Sequence, residues 1–220
     1  MLNTLLAGLT VLVIGDSHMA SNTYLISTLH DDLMERGAVV YSYGSCGSTA
    51  GAWVRKTHST CGGAQRIKDG EVVKDNPADA STRPIAELVN THKPNLIVIV
   101  NGDTMGGYNS PTLPKTWIWQ EVTSLTKAIK KTGVACAWVG PPWGAEGGEY
   151  GKTFARVKEM SSYLSGIVAP CTYIDSSAMA KPGEWRSTDG QHFSSSGYRY
   201  WGKAIGEAVS APAVLATVKK

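Results

Sequence analysis

Apolar residues fall along this chain in two rhythms. Short runs that are almost wholly apolar occupy residues 10–14, 38–43, 95–100, 134–139 and 172–174. Runs of that length and composition predict strands buried on both faces, the habit of parallel sheets covered by helices. Between them the spacing changes to three and four. Leu25, Leu29 and Leu33 recur on one helical face, with Gly37 as the stop. Residues 81–89 predict a capped helix with Pro84 in its first turn. Trp117, Val122, Leu125 and Ile129 mark a third helix ended by Gly133, and Phe154, Val157 and Leu164 mark a fourth. Tyr198, Trp201, Ile205 and Val209 mark a last helix, its start signalled by the serines at 194–196.

Two stretches follow neither rhythm. Residues 44–79 are long, polar and glycine-rich, and residues 140–151 hold two prolines and Trp143. Irregular segments of that length inside a compact chain are usually functional loops or disordered. With no internal repeat and no linker, residues 1–220 predict a single domain. Its expected architecture is α/β: a three-layer α/β/α sandwich with a five-stranded parallel sheet in flavodoxin-like order. The site is expected at the carboxyl ends of the strands.

Composition adds limits. Hydrophobic residues make up 42% and charged residues 18%, so the chain has material for a real core. The formal charge of +3 is scattered, with no basic run beyond Lys219-Lys220, which argues against a nucleic-acid partner. No apolar stretch approaches the ~20 residues of a membrane span. Residues 5–14 lack the basic start and small-residue end of a signal peptide and predict a first strand, any export signal lying outside this sequence. Four cysteines allow three pairings. Cys46 and Cys61 flank one loop, and Cys136 and Cys171 could meet across neighbouring strands; buried free thiols are the other reading. Disulfides would place the protein in a periplasm or outside the cell.

Chemistry concentrates at two points. Gly15-Asp16-Ser17-His18 follows the first strand, where a serine would stand at a strand-to-helix turn beside backbone N–H donors. Gly-Asp-Ser is also ordinary turn chemistry. Near the other end, Asp189-Gly190-Gln191-His192 precedes the last helix. Serine acyl transfer needs a base near the hydroxyl and a carboxylate on the base's far nitrogen, which Asp189 and His192 could supply from one turn. Alone, an Asp-x-x-His is as readily a solvated loop. The order of strands would bring both points to one rim.

Together these residues resemble the SGNH/GDSL hydrolase family, over nearly the whole chain in order and spacing. Gly15-Asp16-Ser17 is similar to its first block and Asp189 with His192 to its last, including the run through Phe193 to Gly197-Tyr198. The resemblance implies Ser17 as nucleophile, His192 as base and Asp189 as its orienting partner. It also implies oxyanion donors from the backbone of Ser17 and from Gly44, a glycine after the second strand. Where the family carries Gly-x-Asn-Asp, this sequence reads Gly102-Asp103-Thr104-Met105. Thr104 is then expected to stand in as a weaker donor, or Asn101 or Asn109 to swing in. Loss of such a donor costs ~2.7–4 kcal/mol of barrier.

The expected activity is hydrolysis or transfer of small O-acyl groups, acetyl above all, on a carbohydrate, with no cofactor and no metal. Asn101, Asp103 and Trp143 are expected to touch substrate, Trp143 because Pro141-Pro142 hold it at the rim. A binding or assembly module that lost turnover is the rival reading, favoured by Thr104. His18 reads as a packing residue, and His30, His58 and His92 lack ligand spacing. Trp117, Trp138 and Trp201 read as core; Trp53 and Trp185 read as loop residues that pack or stack on sugar. Asp175 reads as a turn cap.

Overall fold

The computed structural model describes residues 5–218, so Lys219-Lys220 lie outside it. Seven strands form one sheet: β1 (Thr10–Gly15), β2 (Val39–Ser45), β3 (Gly63–Ile67), β4 (Val73–Asp75), β5 (Leu96–Val100), β6 (Ala135–Val139) and β7 (Thr172–Ile174). Their order is β4-β3-β2-β1-β5-β6-β7. The five strands from β2 to β7 in that order are parallel and correspond to the five apolar runs. β3 and β4 are additions: they lie inside the stretch expected to be irregular and pair antiparallel on the β2 edge.

Alternation along β1 divides the core. Val11 and Val13 face α1 (Leu25–Glu35) and α5 (Ser195–Val209), packing with Leu29, Tyr198, Trp201 and Ile205. Leu12 and Ile14 face α2 (Ile85–His92), α3 (Lys115–Thr132) and α4 (Phe154–Ile167), among Leu88, Val122, Leu125 and Leu164. Truncating a fully buried leucine such as Leu12 to alanine costs about 2–5 kcal/mol. A short α6 (Pro212–Leu215) closes the chain.

The helix ends follow the turn chemistry. Gly133 takes the left-handed conformation after α3, and the Ser194 hydroxyl accepts from the Gly197 N–H at the start of α5. α2 begins at Ile85 rather than 81, because Ser81 bridges to His58 and Thr82 ties down the preceding loop. Trp138 and Trp201 are core, whereas Trp117 is 39% exposed on the outer face of α3. Trp53 is buried and Trp185 packs edge-on against Phe193. Asp175 caps the single turn after β7 by accepting from the Ser177 N–H. Disulfides join Cys46 to Cys61 and Cys136 to Cys171. No described helix is long and apolar enough to cross a membrane.

Candidate active site

Ser17 opens a single 3-10 turn directly after β1, fixed from below by Asp16. The Asp16 carboxylate is buried and accepts from the His18 N–H and from the Thr104 hydroxyl. At the far end of the chain, Asp189 accepts from the backbone N–H groups of Gln191 and His192, winding its own loop into a tight turn. The segment 145–149 docks on this loop through Ala145 N–H to Gly190 O and Glu149 N–H to Asp189 O. The result brings the two ends together. His192 Nε2 lies 2.8 Å from Ser17 Oγ, and His192 Nδ1 lies 2.7 Å from Asp189 Oδ2. Such a chain of contacts can draw a proton from a serine hydroxyl into an imidazole held in one tautomer.

The surroundings disfavour the charged form of that imidazole. Burial, then the neighbouring His18, lower the His192 pKa against the opposing pull of Asp189. Asp189 is held below its ordinary value: burial raises it, but the hydrogen bonds from His192 and Gln191 outweigh that. Tyr24 stacks on the His192 ring and Tyr150 meets it edge-on.

The expected donors fall differently. Gly44 is inside β2, flanked by Gly15 and Ala64, and a Cβ there would collide with the Met19 carbonyl. It serves close packing of the Ser17 turn on the sheet, away from the Ser17 cavity. Gly47, three residues on, lines that cavity with φ +74°. Among the described residues, neither the Ser17 N–H nor the Gly47 N–H meets a protein acceptor. Thr104 also lines the cavity, but its single hydroxyl proton is already claimed by Asp16 Oδ2 at 2.8 Å or Ser48 O at 2.9 Å. Asn101 is fully buried, its amide donating to Ser48 O, and so is removed from substrate. Asn109 is the exposed asparagine on the cavity wall.

Two further expectations are corrected. Trp143 is only 7% exposed and its indole N–H donates inward to Ser177 O and Ala180 O, so it packs its loop rather than a sugar. Asp103 is buried at the base of the cavity and fully committed. It accepts both contacts of Lys152 Nζ, at 2.7 and 2.8 Å, as well as His18 Nε2 and the Tyr108 hydroxyl.

Comparison with known proteins fixes the lineage. No family model matches the chain. Protein BcsX of Komagataeibacter xylinus is 44% identical over 208 residues, covering 94% of this chain and 79% of that one. The chain belongs to the BcsX family. Its fold is that of the SGNH/GDSL hydrolases. A GDSL-like lipase from Bacteroides thetaiotaomicron superposes with a TM-score of 0.56 at 15% identity, covering 91% of this chain and 87% of that one. An acetyl xylan esterase superposes with a TM-score of 0.62 at 12% identity, covering 91% of this chain and 99% of that one.

Beneath the site, this BcsX-family chain carries an ion pair that sequence reading missed. Asp103 and Lys152 side chains are both fully buried. Burial alone raises the Asp103 pKa, but Lys152 and His18 hold it well below the usual carboxylate range. Burial lowers the Lys152 pKa while Asp103 opposes the shift. The pair ties the loop after β5 to the loop that carries Tyr150, so both walls of the cavity share one anchor. No sequence rhythm marks a buried lysine, since lysines almost always reach solvent.

Proposed function

We propose that this chain is a serine esterase of the SGNH type, spanning residues 1–220 as one domain, that removes small O-acyl groups from a carbohydrate. Ser17 Oγ attacks the ester carbonyl carbon while His192 Nε2 takes the hydroxyl proton, and Asp189 stabilises the resulting imidazolium. The N–H groups of Ser17 and Gly47 hold the oxyanion, with the Asn109 amide within the same cavity. His192 then returns its proton to the departing alkoxide of the sugar, leaving an acyl-serine. Water attacks that ester with His192 again as base; a second sugar hydroxyl in place of water would make the same chemistry a transfer. Acetyl is the acyl group favoured, in keeping with the acetyl xylan esterase whose fold the chain shares. Two disulfides favour a periplasmic or extracellular setting.

The observation that carries this reading is the unbroken Ser17–His192–Asp189 contact beside two unengaged N–H donors. The engaged hydroxyl of Thr104 favours the second reading, a carbohydrate-binding module without turnover. Acetate release from an acetylated glycan, followed by proton NMR, separates the two. Turnover that falls by about 10³-fold or more in Ser17→Ala supports the esterase. Absence of release by the native protein supports the module.

A further inference from the structure

Two cavities leave Ser17 in different directions. One, of about 480 Å³, is walled by Tyr24, Lys74, Asn76 and Pro77; the other, of about 410 Å³, by Gly107, Tyr108, Asn109 and Ser110. They share Ser17, Tyr150, His192 and the Cys46–Cys61 disulfide. Strand order sets their directions. β1, which delivers Ser17, has β2, β3 and β4 on one side and β5 on the other. Lys74 and Asn76 belong to β4 and its exit, whereas residues 107–110 follow β5. Ser17 therefore stands mid-way along one groove crossing the rim, not at the foot of a blind pocket.

The lining mixes polar and apolar surface and carries little net charge. Lys74 and Asp75 offer opposite charges in the first arm, and its other carboxylate, Asp189, is turned to His192. In the second, the one carboxylate on the wall, Asp103, is buried and neutralised by Lys152. Asn76, Asn109, Ser110 and Gln191 supply donors and acceptors, and Tyr24 and Tyr150 place aromatic rings beside His192. Such a surface suits a hydroxyl-rich chain without net charge.

We infer that the groove takes a neutral glycan chain lying across the site, so that Ser17 acts on ester-bearing units inside a polymer, with sugar units bound in both arms. This rests on the ester-cleaving reading of Ser17 given above. It also gives the β3–β4 hairpin a role that the five-stranded scaffold does not require: it walls the first arm. Binding away from the reacting ester is converted into rate, so shortened substrates lose kcat as well as affinity.

The test uses the native protein and three probes: an aryl acetate, an O-acetylated monosaccharide, and acetylated neutral oligosaccharides of increasing length. The expected result is a rise in kcat/KM of about 10²-fold from monosaccharide to the longest oligomer. Asn76→Trp and Ser110→Trp, one exposed position in each arm, are each expected to erase most of that rise. Equal kcat/KM for monosaccharide and oligomer would overturn the inference, and so would a rise that only one arm's variant reduces. Failure to cleave any probe, the aryl acetate included, would instead overturn the esterase reading on which it rests.

Discussion

The imidazoles of His18 and His192 lie 5.1 Å apart, centroid to centroid, yet answer to different partners. His192 reaches Ser17 Oγ, while both nitrogens of His18 are taken, one by the Tyr198 hydroxyl and one by Asp103. Two histidines crowd one serine, and only one is placed to take its proton.

That proximity has a pH signature. The base acts as a neutral imidazole, so kcat/KM falls as pH drops through the His192 pKa. Burial first and His18 second lower that pKa, so the acid limb of the profile lies below the ordinary value of 6.5. His18→Asn removes the second influence and moves the limb upward. A kcat/KM–pH profile of both proteins on an aryl acetate checks this; a native limb above 6.5 contradicts it.

Thr104 is expected to serve the fold and Gly47 the oxyanion. Thr104→Val leaves the buried Asp16 carboxylate without a hydroxyl partner, which costs about 1–3 kcal/mol of stability. Its kcat should fall by less than about tenfold, since an oxyanion donor is worth about 10²–10³. Gly47→Ala should show the reverse balance in rate, because alanine resists φ +74° and displaces the N–H. Urea unfolding and kcat measured on both variants distinguish the two positions.

Lys152→Met strands the Asp103 charge in the interior and is expected to cost about 3–5 kcal/mol at neutral pH. The sign with pH follows from the depressed Asp103 pKa. Its stabilisation is present above the ordinary carboxylate value of about 3.9 and is lost as pH falls through the lower folded value. The gap between native and Lys152→Met stability should therefore narrow in acid, as thermal melts between neutral pH and strongly acid solution would show.

The two disulfides should part in mild reductant. Cys136 and Cys171 are buried, whereas Cys61 is exposed on the wall of the Ser17 groove. Without denaturant, thiol alkylation followed by peptide mapping should label Cys46 and Cys61 first. Opening that 15-residue loop is expected to cost about 3 kcal/mol. It should lower kcat in parallel with labelling, because Gly47 adjoins Cys46.

Much of this was legible in the sequence for plain physical reasons. β1, β5 and β6 are covered on both faces, so their apolar runs could hardly be anything else. Ser17 and His192 stand at turns whose chemistry is local, so short motifs marked them. β3 and β4 were hidden because Gly63–Ile67 and Val73–Asp75 are short, mixed in polarity and only partly buried. Gly44 was favoured because the second strand was expected to end at residue 43. Pairing with β3 extends β2 to Ser45, which draws Gly44 into the ladder and leaves Gly47 at the rim. Trp143 was misread because exposure of a loop tryptophan depends on what folds over it, here the backbone of Ser177 and Ala180.

Intact mass after treatment with a serine-directed fluorophosphonate tests the central claim most directly. The account predicts a single adduct, mapped to Ser17 and lost in both Ser17→Ala and His192→Gln. An unlabelled native protein, or an adduct that persists when Ser17 is alanine, would contradict it.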